Sequence, residues 1–182
     1  VLHVGVEDDS WLYNKLTISK SKEDIISKTG SRYAPAKVFN DILKQLDEPY
    51  KKLLFIGKPC DIYALNNLMN KEPKYRGKIF LTIAFFCAGI PSYNATKKLV
   101  NINTKSKPST LRYRGNGWPG NFTVKYENND ELKLSYKESW GNHLGKDLNF
   151  RCKICPDGIG LNADISVGDS WEDVDGYPSF SN

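Results

Sequence analysis

The spacing of hydrophobic positions changes several times along this chain, and each change predicts an element. Val4-Gly5-Val6 and the stretch from Trp11 to Ile18 mix β-formers with polar residues and read as two short strands. Ser21 followed by Asp24 marks a helix start with Ser21 as the cap, and that helix runs through Ile25 and Ile26 and stops before Gly30. After a loop over 29–33 and Pro35, residues Val38, Phe39, Ile42, Leu43 and Leu46 recur at near-helical spacing.

The clearest unit follows. Lys52 to Ile56 is a short apolar run of strand type, Gly57-Lys58-Pro59-Cys60 is a tight turn, and Asp61 to Asn70 carries Ile62, Leu65, Leu68 and Met69 at helical spacing. A second copy has Lys78 to Phe86 as a buried strand, Cys87-Ala88-Gly89-Ile90 as the turn and a helix from Pro91-Ser92. Two buried strands that each feed a helix predict parallel pairing with helices on the faces. From about Ser109 the period shortens. Leu111 to Arg114, Phe122 to Tyr126 and Leu132 to Tyr136 read as strands, the last two joined through Asn128-Asn129-Asp130. Trp140 to Leu148 is a loop or weak helix, residues 151–156 a tight loop, and Ala163 to Val167 a final strand. The predicted fold is α/β: a mixed sheet with helices on both faces plus a β-hairpin extension. One domain spans 1–171, and the polar residues 172–182 read as a linker or the start of a further segment.

Composition narrows the class. The 182 residues are 40% apolar and 26% charged, within the globular range. No stretch reaches the roughly 18 consecutive apolar residues of a membrane span, and no secretory signal is visible, so a cytoplasmic setting is expected. The chain opens on Val1 without an initiator Met and reads as a piece of something longer. The net charge of +5 belongs to a solvated, Lys-rich surface. Its lysines stand singly or in pairs, and its aromatics are not interleaved with Arg, so nucleic acid is not an expected partner.

The four cysteines, Cys60, Cys87, Cys152 and Cys155, carry the chemistry. A chain of this length needs no disulfide staples, so they read as metal-binding or redox residues. Cys60 and Cys87 occupy the same place in successive strand–turn–helix units, at the sheet edge where ligands bind. A helix N-terminus there is expected to lower a thiol's pKa. The Cys152/Cys155 spacing lets one loop present two sulfurs to one centre. Read as residues alone, Cys60 and Cys87 also suit small buried hydrophobes. Four thiolates suit either zinc or an iron–sulfur cluster, and single ligands from sheet-edge turns favour the cluster. His3 and His143 read as ordinary histidines.

Five motifs, in order, then resemble one family. They are Gly30-Ser31-Arg32-Tyr33, Gly57-Lys58-Pro59-Cys60-Asp61, Phe86-Cys87-Ala88-Gly89, Arg114-Gly115-Asn116-Gly117-Trp118-Pro119-Gly120, and Cys152-Lys153-Ile154-Cys155-Pro156 with the strand ending at Asp169. Over about residues 29 to 171 the chain resembles the beta subunit of coenzyme F420 hydrogenases and dehydrogenases. The resemblance implies an oxidoreductase module with a [4Fe-4S] cluster and FAD. Electrons would pass to a deazaflavin-type carrier and a redox partner subunit or protein. Carried over by motif, Cys60, Cys87, Cys152 and Cys155 would be the cluster ligands. Ser31, Arg32, Tyr33, Gly57, Lys58, Arg114, Gly115, Asn116, Gly117, Trp118 and Asp169 would lie near the cofactors. Ala88 stands where many relatives have histidine, and no ferredoxin-like cysteine run precedes the segment, so no second cluster is expected here. The rival readings are a zinc- or cluster-stabilised non-catalytic module tied to polysaccharide biosynthesis, and a fold that holds no cofactor.

Overall fold

The structure, a computed structural model, describes residues 1–49, 52–101, 106–174 and 177–180. Its main sheet has five strands. β1 (Leu2–Val6) pairs antiparallel with β2 (Asn14–Ile18) and parallel with β3 (Leu53–Gly57). β3 pairs parallel with β4 (Ile79–Phe85). The order is completed by β8 (Ile165–Val167), parallel to β4 at the sheet edge. This is the mixed α/β sheet that the two strand–turn–helix units predict.

Helix α1 (Lys22–Ser27) is capped as its sequence predicts: the Ser21 side chain accepts a hydrogen bond from the Asp24 N–H. It buries none of its residues. α2 (Val38–Asp47) and α3 (Pro59–Lys71) do the packing. Val38, Ile42 and Leu46 of one, and Ile62 and Leu65 of the other, join Leu2, Leu53 and Phe55 in one core. Burying side chains of this size stabilises by roughly 1.5–3 kcal/mol each. That burial fixes the strand register, since a one-residue slip would turn Leu53 and Phe55 outward.

A second core lies under a three-stranded antiparallel sheet: β5 (Pro108–Arg112), β6 (Phe122–Tyr126) and β7 (Glu131–Leu134). Here Leu111, Tyr113, Phe122 and Val124 pack with Leu99 and Val100 of α4 (Tyr93–Val100). The expected hairpin is therefore a small sheet with its own helix. β5 ends at Arg112, earlier than the apolar pattern predicts, because Arg114 and Gly115 turn into a loop. Lys137–Gly141 forms one wide helical turn and Leu144–Lys146 a 3-10 turn. Where polar composition predicts a linker, β9 (Trp171–Val174) pairs antiparallel with β10 (Tyr177–Phe180). No helix among the described residues is long and apolar enough to cross a membrane.

One side chain fastens β8 to β4. Asp164 Oδ2 accepts from the Thr82 N–H and hydroxyl, both at 2.7 Å, and Thr82 Oγ1 accepts in turn from the Asp164 N–H at 3.0 Å. These bonds hold the Asp164 carboxyl below its ordinary value. Asp164→Ala leaves buried Thr82 donors unsatisfied and should cost about 1–3 kcal/mol in urea unfolding. A lowered folded pKa stabilises above the ordinary aspartate value and is lost as pH falls through the lowered one. The difference between wild type and variant should therefore hold at neutral pH and close below pH 3.8. A gap that persists undiminished in acid would contradict this role.

Candidate functional site

The carboxyl ends of β3, β4 and β8 share one edge, where Gly57 stands beside Ala84 and Phe85 beside Val167. Two candidate segments leave the sheet there, and a third, which precedes β8 in the chain, packs against them. From β3 the chain passes through Gly57, where a Cβ would sit 2.7 Å from the Phe55 ring; glycine is needed there for packing. Lys58 caps α3, with its backbone N–H and its Nζ both donating to Asp61 Oδ2. Cys60 follows in the first helical turn.

From β4 the chain runs through Phe86 and Cys87 into an irregular loop, and α4 begins only at Tyr93, capped by Ser92. Cys87 thus sits at a strand end but not at a helix start, contrary to the repeat read from sequence. The third segment carries the cysteine pair. Its expected tight loop contains a short helix, α5 (Phe150–Lys153), with Cys152 inside it. Two contacts clamp this segment to the β4 loop. Asn149 donates to the Ile90 carbonyl from its backbone and side chain, at 3.0 and 2.8 Å, and the Cys87 N–H donates to the Gly158 carbonyl at 2.8 Å. Asp157 organises the far side, with Oδ1 accepting from the N–H groups of Ile159 and Gly160. At Gly89, φ is +111° and a Cβ would meet Leu148 Cδ1 at 2.9 Å, so glycine permits the close approach of the two segments.

The result is a cavity of about 360 Å³ lined by all four cysteines together with Lys58, Asp61, Gly89, Ile90 and Arg151. Cys60 and Cys155 reach solvent, Cys87 and Cys152 are half-buried, and all four are free thiols. The Ile90 N–H donates to Cys152 Sγ at 3.4 Å. Burial pushes the Cys60 thiol up, with Asp61 adding to it; burial also pushes Cys87 up, against a backbone hydrogen bond from Gly89 and the charge of Lys58. The Cys60 thiol is thus raised by burial, the reverse of the lowering expected from sequence. Cys87 is destabilised as a thiolate by Cys152 and Cys155, and Cys60 by Cys87 and Cys155. Such mutual repulsion is relieved when a cationic inorganic centre enters, and four thiols around one cavity suit that chemistry. Among the described residues, no three His, Cys, Asp or Glu side chains close on a single metal-ion position.

A second group gathers around the loop after β5. Arg114 is its hub: Nε donates across the loop to the Pro119 carbonyl at 2.9 Å, and NH1 donates to Asp169 at 2.7 Å and to the Tyr33 hydroxyl at 3.2 Å. Its guanidinium lies 4.8 Å from the Trp118 ring centre and 5.3 Å from that of Tyr136. Burial disfavours the Arg114 charge, but Asp169 and Tyr33 outweigh it and the pKa rises. Gly120 must be glycine, because φ is +81° and a Cβ would stand 2.3 Å from the Gly115 nitrogen. Asn116, at φ +59°, and Gly117 are exposed at the tip, and Trp118 is partly exposed. Arg32 faces inward instead. It donates to Asn14 Oδ1 and to the carbonyls of Trp11, Leu12 and Leu111, tying β2's approach to β5. Ser31 is half-buried at the start of the same segment.

The two groups are neighbours through that segment. Tyr33 packs on Tyr113 and Trp140 beside Arg114, while Pro35 and Ala36 line the cysteine cavity. Sequence reading missed Asp61 as the partner of Lys58, although the i, i+3 pairing at a helix start was a signal for it. It also missed Arg112, whose guanidinium lies against both Gly30 and Gly115. Tyr136 and Trp140 had no local signal.

Comparison with known proteins bears on the fold and the family. The family model for the C terminus of the coenzyme F420 hydrogenase/dehydrogenase beta subunit matches residues 50–179. An uncharacterized protein of Methanocaldococcus jannaschii is 29% identical over 168 residues, covering 88% of this chain and 45% of that protein. A chain of the F420-reducing nickel–iron hydrogenase complex from Methanosarcina barkeri, solved as a xenon derivative, superposes with a TM-score of 0.64 at 21% identity. That match covers 92% of this chain and 57% of the other, and it shows a shared fold. The chain spans about half the length of the proteins it matches. With the family model covering most of its length, this chain belongs to the coenzyme F420 hydrogenase/dehydrogenase beta-subunit family, matching the carboxyl-terminal part of such proteins.

Proposed function

We propose that this chain is the iron–sulfur flavoprotein module of an oxidoreductase, with Cys60, Cys87, Cys152 and Cys155 holding a [4Fe-4S] cluster beside an FAD. The observation that carries the reading is the meeting of four cysteines, from three separate segments, around one cavity at the carboxyl edge of the parallel strands. A cubane cluster is wider than a single ion, and thiols ranged around a cavity suit it better than a point-like zinc site. Bound there, a cluster supplies single electrons, and a flavin exchanges them for the hydride of a deazaflavin-type carrier. The chain's own residues position and insulate. The Asn149 and Gly158 contacts hold the cysteine segments together, and the Ile90 N–H offers a hydrogen bond to a ligand sulfur. The loop 115–118 offers exposed backbone and the Trp118 ring to the flavin, shaped from behind by Arg114, Tyr33 and Asp169. Electrons would be exchanged with a partner subunit, in a cytoplasmic setting that keeps thiols reduced.

Anaerobically purified protein should be brown, absorb broadly near ~400 nm and carry about four iron and four sulfide per chain. Cys152→Ser with Cys155→Ser should abolish iron binding while circular dichroism stays that of the wild type. One zinc per chain with no sulfide would overturn the cluster.

Trp118→Ala should weaken FAD binding roughly tenfold, about 1.4 kcal/mol, with little change in the thermal midpoint. Arg114→Gln should lower affinity and stability together, and Arg32→Gln should act on stability first. Flavin fluorescence titration alongside thermal unfolding separates these. Equal FAD affinity in wild type and Trp118→Ala would remove the loop from the flavin site.

A further inference from the structure

Among the ion pairs of the described residues, that between Lys58 and Asp61 is set apart by burial on both sides. Its Nζ–Oδ2 separation is 2.5 Å, and the side chains are only 13% and 12% exposed. Six other ion pairs among the described residues each have at least one partner exposed by 35% or more. Both Lys58 and Asp61 line the cavity that holds the four cysteines. A buried ion pair contributes little net stability, because desolvation offsets the attraction. An uncharged Ser or Asn would cap α3 as well, so capping does not explain a lysine here.

The field of the pair at the cysteines does explain it. Lys58 acts on the thiol groups of Cys60 and Cys87, and Asp61 acts on that of Cys60 with the opposite sign. Four thiolates around an iron–sulfur cluster carry net negative charge. Reduction adds one electron and no proton, so the site becomes more negative by one unit. A fixed cation favours the reduced form and a fixed anion favours the oxidised form. Within a partly buried cavity both are weakly screened by salt.

We propose that Lys58 and Asp61 together set the reduction potential of the cysteine site. Lys58 raises it, and Asp61 holds the ammonium in place and cancels part of its effect. The inference rests on the cluster reading above. It makes the pair a tuning device in which a change of either residue resets the poise of the electron carrier without touching a ligand.

The test is a redox titration of the anaerobic protein, followed by electron paramagnetic resonance, with iron per chain measured on every sample. Lys58→Gln should lower the midpoint potential and Asp61→Asn should raise it. Each should change the reduced-to-oxidised ratio at fixed potential about tenfold, or about 59 mV for a one-electron couple. Lys58→Arg should keep the wild-type value. Asp61→Asn retains an oxygen acceptor for the Lys58 N–H, so it carries the test alone if Lys58→Gln does not fold. Iron-loaded variants with unshifted potentials, or with shifts of the same sign, would overturn the inference and leave the cluster reading standing. Wild-type protein without iron would overturn both.

Discussion

The common direction of β3, β4 and β8 is the constraint on which the rest of this protein depends. Because the three strands run parallel, they end on one edge, and the chain leaves each end carrying a candidate group. Cys60 follows β3, Cys87 follows β4, and Asp169 follows β8. The register is held by apolar burial of Leu53 and Phe55 against Ile62, Leu65 and Ile42. Residues far apart in sequence therefore meet at the edge through a core that contains none of them.

Hydrogen bonds then refine what burial brings near. The segment with Cys152 and Cys155 has few buried side chains of its own; Asn149 and Gly158 tie it to the β4 loop, and the Asp157 carboxylate shapes its far side. Polar groups suit this task because they are directional and short-ranged, whereas apolar packing tolerates sliding. The second core repeats the arrangement on a smaller scale. Its sheet supports a glycine-rich loop, and Arg114 ties that loop to Tyr33 and Asp169 on two other segments.

Electrostatics gives the cysteine cavity its character. The thiols of Cys60 and Cys87 resist ionisation, and they resist it more as their neighbours ionise. A thiolate at either position is therefore disfavoured unless positive charge lies near it. The adjacent Lys58 acts in the opposite direction on both thiols. The fold thus maintains a geometry that the side chains would not choose on their own, which is common at functional sites.

Local pattern was sufficient for most of the elements and for singling out the cysteines that line the cavity. Periodicity predicts α2, α3, β3 and β4, and the Ser21 cap was legible because capping involves only residues three apart. The cysteines stood out by spacing and by their place after buried strands. What lay beyond the sequence was long-range or directional. Nothing local to Arg32 tells that its guanidinium turns toward Leu111, 79 residues away, while Arg114 reaches Asp169 55 residues on. Nor could local pattern foresee that burial would raise the Cys60 thiol, because desolvation depends on everything packed around a group. Composition and periodicity specify which side chains are available and most of the segments that are strand or helix. The tertiary structure alone decided which of them share a cavity, since that follows from the register of distant strands and the burial they create.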